Sequence, residues 1–276
     1  MKVSQNNNLK LGIIGAGFVG GSVVAGFDKN VEQFVVDTKL NHNTIDDLME
    51  FDPSITFVCV PTPQTVGHTD VDVSIVRQVL SDLYDRNYKG IVVIKSTITP
   101  KHLTTMKKDF GVKIVYNPEF LTEANAHADF INPNMQVLGG KWRDCDVVEK
   151  AYVRHSSVKI VPTFKTDLIT ASLIKYTINS WLATKVSFFN DLYNLHKESG
   201  SSATWDQFTD MLKADSRMGQ SHMTVPGPDG EFGFGGHCFP KDTEALLHYA
   251  QQSGVSMKIL QKAVDTNKYY RSLTIK

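Results

Sequence analysis

Leu9-Lys10-Leu11-Gly12-Ile13-Ile14-Gly15-Ala16-Gly17-Phe18-Val19-Gly20 is the stretch whose reading decides the fold. Its first half is short and apolar, as a buried strand is, and it ends in G-x-G-x-x-G with a helical stretch, Val19 to Phe27, directly after it. Glycines in such a turn allow a tight bend and a close backbone approach, and the helix N-terminus behind them favours an anion. A glycine turn of this kind also occurs in α/β proteins that bind no nucleotide. What narrows the reading is the next strand, Phe34-Val35-Val36, which ends in Asp37, 22 residues after Gly15. A carboxylate there can accept a hydrogen bond from a ribose 2′-hydroxyl and would repel a 2′-phosphate, so NAD is expected rather than NADP. Gly15, Gly17, Phe18, Val19, Gly20 and Asp37 are the candidate cofactor-binding residues of this segment.

The alternation continues outward. Ile55 to Val60 reads as a third buried strand running into Val60-Pro61-Thr62-Pro63, an extended loop at the carboxyl edge of the sheet, where ligands bind in open α/β sheets; Cys59 reads as core. A helical pattern over Asp72 to Arg86 leads to a fourth strand, Ile91 to Ile94, and then to Lys95-Ser96-Thr97-Ile98-Thr99-Pro100. The hydroxyls of Ser96 and Thr97 either cap the helix that Pro100 opens or meet a ligand. A fifth strand, Val112 to Tyr116, runs into Asn117-Pro118-Glu119-Phe120-Leu121-Thr122-Glu123. If Glu119 to Glu123 is one helical turn, both carboxylates face the same way and suit acid–base work; otherwise they are a solvated pair. Met135 to Leu138 and Val158 to Val161 read as two more strands around a helical stretch, Asp144 to Arg154, with Cys145 at the surface. Strands alternating with helices this regularly predict an α/β domain over 1–165, a Rossmann-like, doubly wound parallel sheet covered on both faces.

Near Thr166 the pattern becomes helical, and 166–276 is expected to be an all-α domain. From Asp167 to about Glu198 there is no proline or glycine, and Lys175 and Asn179 lie four apart, on one face of a long helix. Taken alone, Lys175 is more simply an exposed lysine. Thr204 to Lys213 is a further helix, followed by an irregular stretch, Ala214 to Gly236, containing Asp215-Ser216-Arg217-Met218-Gly219 and Val225-Pro226-Gly227-Pro228-Asp229-Gly230. It leads into Gly233-Phe234-Gly235-Gly236-His237-Cys238-Phe239-Pro240-Lys241-Asp242. Three glycines in four positions permit positive φ and leave N–H groups able to meet an anion. Pro240 opens a helix, so Cys238 sits at or just before a helix N-terminus, and the Lys241 ammonium favours its thiolate. Asp242 can polarise a water or orient the lysine. The plainer reading is a glycine loop beside a small buried cysteine. Helices over Lys241 to Gln252 and Met257 to Arg271 follow.

The 276 residues suffice for one large or two ordinary domains, and 29 basic against 29 acidic residues give no field that suits nucleic acid or a membrane surface. No apolar run has the length of a membrane span, and Met1 to Asn8 is too polar for a signal peptide. Three widely spaced cysteines suggest neither a disulfide framework nor a metal pattern, so a reducing cytoplasm is expected.

Taken together, Gly15-x-Gly17-x-x-Gly20, Val60-Pro61-Thr62-Pro63, Ser96-Thr97, Asn117-Pro118-Glu119-Phe120-Leu121-x-Glu123, Lys175 with Asn179, Asp215-x-Arg217-x-Gly219 and Gly233-Phe234-Gly235-Gly236-x-Cys238-Phe239-Pro240-Lys241-Asp242 resemble the UDP-glucose/GDP-mannose dehydrogenase family, in its order and over nearly the whole chain. The resemblance implies an NAD-dependent, four-electron oxidation of a nucleotide-sugar C6 alcohol to a uronic acid, with UDP-glucose the leading substrate. It implies Lys175, Asn179, Asp242 and Thr97 at the alkoxide and its water, Cys238 as the nucleophile that traps the aldehyde, and Glu119 and Glu123 in acid–base roles. It places Val60, Thr62, Ser96, Thr97, Glu123 and Lys241 on the cofactor, and Glu119, Phe120, Leu121, Glu123, Lys175, Asn179, Arg217, Phe232, Gly233, Phe234 and Gly235 on the sugar nucleotide. It further implies a homodimer through the helical domain, with Arg217 reaching the partner's sugar site. Two departures stand out. Family members usually carry a third domain, whereas this sequence stops at Lys276 and so reads as a short form, and His237 occupies a position that is commonly serine. The competing expectations are a two-electron hydroxyacid or sugar dehydrogenase and a non-catalytic nucleotide-sugar or NAD-binding protein.

Overall fold

The computed structural model describes residues 8–65, 67, 70–122 and 125–273; residues 1–7 and Glu123 lie outside the described residues. The chain forms two compact units, one of residues to Pro63 with Val71–Lys175, the other of Gln64–Asp70 with Tyr176–Lys276.

The first unit is a seven-stranded sheet with helices between its strands. Its strands are β1 (Leu9–Ile14), β2 (Val31–Val36), β3 (Ile55–Val58), β4 (Ile91–Ile94), β5 (Lys113–Tyr116), β6 (Gln136–Gly140) and β7 (Thr163–Thr166), in the spatial order β2-β1-β3-β4-β5-β6-β7. Its helices are α1 (Phe18–Gly26), α2 (Ile45–Phe51), α3 (Ser74–Asp85), α4 (Pro100–Asp109), α5 (Ala126–Ile131) and α6 (Trp142–His155). β3 and β4 are buried at every residue, as strands covered on both faces must be. Leu11, Ile13, Phe57, Val93, Val115 and Leu138 form the centre of the core together with Phe27, Phe130 and Tyr152. The order reverses at β1, which lies between β2 and β3, so the crevice beyond the carboxyl ends of β1 and β3 is where such a sheet receives ligands.

Four sequence expectations require correction. The sheet is not wholly parallel, because β6 runs antiparallel to β5, after only the short helix α5 between them. The last strand is Thr163–Thr166, in register with β6, rather than Val158 to Val161; Val158 is buried but Ile160 is 76% exposed. Cys145 is fully buried, not at the surface; its thiol faces the Leu138 carbonyl at 3.6 Å, and burial pushes its pKa up to about 11. Residues 119–122 form no helical turn. Helix α2 was not anticipated, although Thr44 and Asp47 close a reciprocal capping box at its start.

In the second unit, α7 (Leu168–Glu198) continues from the first unit as a 31-residue helix. α8 (Trp205–Lys213), a 3-10 turn at Ser216–Met218, α9 (Phe239–Gln252) and α10 (Lys258–Ser272) complete it. Phe189, Trp205, Met223 and Val225 pack with Tyr193, Phe208 and Phe232 into one apolar cluster, and Ala183, Phe234 and Val264 into another. Among the described residues, no helix is long and apolar enough to cross a membrane.

Candidate active site

The glycine turn between β1 and α1 has three distinct environments. Gly15 has φ +85°, and a Cβ there would lie 2.8 Å from the Cys59 carbonyl oxygen, so the bend against β3 requires glycine. A Cβ on Gly20 would overlap the Gly15 carbonyl, so the third glycine lets α1 pack on the turn. A Cβ on Gly17 would meet nothing within 4 Å. That open side, at the N-cap of α1, is where a diphosphate would fit, and Phe18 beside it is 69% exposed. Asp37 follows β2, and its carboxylate accepts from the Ala16 N–H at 2.7 Å and the Lys39 N–H at 2.8 Å. The Ala16 amide foremost, with the Lys39 and Leu40 amides, holds the carboxyl below its ordinary range against the opposing effect of burial. The carboxylate is thus ionised and fixed beside the glycine turn, and the residues present fit an NAD ribose.

At the ends of β3 and β4, Val60 and Thr62 are buried; Ser96 donates to the Val60 carbonyl at 2.6 Å and Thr62 to the Thr97 carbonyl at 3.0 Å. These bonds tie the two strand ends together. Neither Ser96 nor Thr97 caps α4, whose N-cap is Thr99. Thr97 is half-buried.

Beyond β5, Glu119 meets Lys175 of α7. The Lys175 ammonium donates to the Glu119 carbonyl at 2.7 Å and to its carboxylate at 2.9 Å, and it lies 5.6 Å from the centre of the Phe120 ring. Lys175 is 2% exposed, so its expected place on a solvated face is wrong. Burial alone would raise the Glu119 carboxyl, but Lys175, the Leu121 amide and Lys95 outweigh it and hold the group below its ordinary value. Loss of one partner would strand a buried charge, a cost of about 3–5 kcal/mol.

In the second unit, Asn179, one helical turn beyond Lys175 on α7, donates to Asp242 at 2.6 Å. The other carboxylate oxygen of Asp242 accepts from Lys241 at 2.6 Å, and Asp242 is 1% exposed. Cys238 is the N-cap of α9, with Pro240 in the first turn, as the sequence predicts. The Asp242 N–H donates to the Cys238 carbonyl at 2.8 Å. This first turn therefore places a thiol, an ammonium and a buried carboxylate within five residues.

In the glycine segment before it, the N–H groups of Gly233 and Phe234 are not open. The Gly233 N–H donates to Asn190 at 3.0 Å and the Phe234 N–H to Asn267 at 2.6 Å, while Asn267 and Arg271 donate to the Phe234 carbonyl at 3.0 Å. Phe232 and Phe234 pack into the two apolar clusters. A Cβ on Gly235 would overlap the Arg271 guanidinium, whereas one on Gly236 would meet nothing within 4 Å. Arg217 pairs with its neighbour Asp215, Nε to Oδ1 at 2.9 Å, and its side chain is 88% exposed. The sequence reading passed over two buried lysines. Lys95 packs at the end of β4, and Lys185 on α7 donates to the Met218 carbonyl at 2.7 Å, anchoring the turn that carries Arg217. No local sequence signal separates either from an exposed lysine.

The chain is 33% identical over 222 residues to a UDP-glucose 6-dehydrogenase of Rickettsia conorii, a match that covers 77% of this chain and 48% of that protein; the chain spans about half the length of such curated relatives. A solved UDP-glucose dehydrogenase from Pyrobaculum islandicum matches 98% of this chain and 70% of its own, with a TM-score of 0.78 at 24% identity. A Mycobacterium tuberculosis 3-hydroxyisobutyrate dehydrogenase matches 96% of both chains with a TM-score of 0.71 at 15% identity. These two likenesses speak for the fold alone. Two domain models of a single family match in sequence: its NAD binding domain over residues 25–155 and its central domain over residues 169–269. With the NAD-binding half and the central half both present in the family's order, the chain belongs to the UDP-glucose/GDP-mannose dehydrogenase family.

Proposed function

We propose that the chain, organised as an NAD domain over 1–165 and a helical domain over 166–276, oxidises the C6 alcohol of UDP-glucose to UDP-glucuronate. The observation that carries this reading is that Lys175 and Asn179, one turn apart on α7, are both buried and each held by a carboxylate, Glu119 and Asp242. Ordinary surface lysines and asparagines are not kept this way.

NAD supplies the hydride acceptor for each of two oxidations. The residues of the chain do the rest. Lys175 and Asn179 stabilise the alkoxide as its proton passes to a water between Thr97 and Asp242. Cys238, as thiolate, attacks the aldehyde carbon; a C–S bond forms and the carbonyl oxygen takes up a proton. Loss of the second hydride from that carbon, and of the hydroxyl proton, leaves a thioester. Water, its proton taken by Asp242 or Glu123, adds to the thioester; the C–S bond breaks and the thiolate departs. The sum is alcohol, two NAD⁺ and one water to carboxylic acid, two NADH and two protons. Glu119 holds Lys175 in place and meets the sugar. Val60, Thr62, Ser96 and Lys241 line the cofactor, and Phe120, Leu121 and the 232–235 segment line the sugar nucleotide. A reducing, cytoplasmic setting would keep Cys238 a thiol.

A homodimer through the helical domain completes the proposal. Trp181, Phe188 and Leu195, seven residues apart on α7, are each more than half exposed, an apolar stripe that a second copy would cover. Arg217 would then serve the partner's site, and mixing Arg217→Ala with Cys238→Ala chains should restore part of the activity. No rescue in verified mixed dimers would remove this arrangement.

The same fold also occurs in a 3-hydroxyisobutyrate dehydrogenase, so the rival to be tested is a two-electron dehydrogenase. The NADH formed per UDP-glucose consumed decides. Two supports the four-electron reaction, one supports the two-electron reaction, and none supports a binding protein.

A further inference from the structure

Lys95 lies immediately after β4 and Asn117 immediately after β5, where the ladder continues with the Asn117 N–H donating to the Ile94 carbonyl at 2.9 Å. The Lys95 side chain is 3% exposed, and no carboxylate pairs with it among the described residues. Its ammonium donates to the Asn117 side-chain oxygen at 3.0 Å and to the Asn117 carbonyl at 3.3 Å, and it stands 5.6 Å from the centre of the Phe130 ring. Asn117 is itself fully buried. Its side-chain oxygen also accepts from the Tyr152 hydroxyl at 2.7 Å, and its amide donates to the Val137 carbonyl at 2.9 Å. Pro118 follows, and Glu119 then reaches Lys175. A single residue, Pro118, thus separates the clamp from the buried ion pair, which leaves Glu119 few ways to move unless Asn117 moves first.

We propose that Lys95 is a positioning residue of this site, whose ammonium holds the backbone at Asn117 and so fixes Glu119 against Lys175. The inference rests on the proposed reaction only for its kinetic consequence; the geometry stands without it. An ammonium buried with no carboxylate in contact among the described residues is costly, and a methionine of similar length would pack there more cheaply, so the charge has to be retained for what it holds. Burial pushes Lys95 down to about 8; Cys59 and Glu119 oppose this and Lys175 adds to it. Besides these, the Tyr152 hydroxyl faces the ammonium at 3.5 Å.

The test compares Lys95→Met, which removes charge and donors, with Lys95→Arg, which keeps both. The first readout needs no turnover: full-length protein is treated with an amine-acylating reagent, and the rate at Lys175 is read by mass spectrometry. Lys95→Met, with an unchanged melting temperature, is expected to raise acylation of Lys175 several-fold, and Lys95→Arg to leave it near the wild-type rate. If Lys95→Met does not fold, Lys95→Gln carries the same comparison. The second readout is kinetic: with UDP-glucose, Lys95→Met should lower kcat about tenfold with little change in the KM for NAD, and Lys95→Arg should recover most of it. Wild-type Lys175 protection in a folded Lys95→Met or Lys95→Gln protein overturns the proposal. Increased acylation in Lys95→Met, where the wild-type protein forms no NADH from UDP-glucose, supports the positioning role and removes the proposed reaction.

Discussion

The glycine turn at 15–20 leads into α1 and the glycine turn at 233–236 leads towards α9, yet their surroundings differ. At the first, two glycines are demanded by backbone crowding and the middle one, Gly17, faces open space. At the second, Asn190 and Asn267 occupy the Gly233 and Phe234 amides, and the Arg271 guanidinium fills the space beside Gly235. The first turn therefore leaves backbone at Gly17 uncovered, where the proposal puts the diphosphate. The second spends the Gly233 amide and both backbone groups of Phe234 on holding itself against α7 and α10, leaves Gly236 open, and is followed by the side chains to which the proposal gives the chemistry. Glycine content signals that a backbone is approached closely; the neighbouring side chains decide by what.

This contrast can be broken at several points. The largest effect is expected where the second turn hands over to Cys238, the proposed nucleophile. Cys238→Ala should lower acid formation by at least about 10³-fold, about 4 kcal/mol of transition-state stabilisation, with thermal stability unchanged. Steady-state assay of the acid product checks it, and normal acid formation would mean that the second turn serves no nucleophile. Next, Gly20→Ala places a methyl group on a backbone carbonyl that no rotamer change can relieve. It should cost about 3 kcal/mol, read as a lowered midpoint in denaturant.

Gly233→Ala should cost about 2 kcal/mol, from φ +75° and displacement of the Asn267 side chain that satisfies Phe234. A Gly233→Ala protein as stable as wild type would remove the claim that this turn is structural. Gly17→Ala gives the smallest effect and the sharpest contrast. Its stability should stay within about 0.5 kcal/mol of wild type, while NAD affinity, measured by titration, falls roughly tenfold. Unchanged NAD binding would show that the open face of the first turn is not the diphosphate site.

Much of the first unit was legible in the sequence because its signals are local. Apolar runs bounded by turns mark buried strands, and the spacing from Gly15 to Asp37 follows from one β-α-β crossover. The reversed direction of β6 was not legible, since strand direction depends on where the chain returns and not on composition. The last strand was placed on Val158 to Val161 because apolarity was read as strand; pairing with β6 belongs instead to Thr163–Thr166, and Val158 is buried outside the sheet. Cys145 was read from its charged neighbours, Arg143 and Asp144, but α6 turns those outward and the thiol into the core.

By itself the sequence determined the order of strands and helices, the glycine fingerprint with its carboxylate, and the thiol at the start of α9, because each depends on residues near one another in the chain. Only the tertiary structure decided the electrostatics. Lys175 and Glu119 are 56 residues apart and Asn179 and Asp242 are 63 apart, yet each pair is in hydrogen-bond contact and buried. Lys95 likewise finds Asn117 across 22 residues. A lysine or a glutamate carries no local mark of burial, since a charge can leave water only where a partner distant in sequence replaces its solvation, and that partner is supplied by the fold.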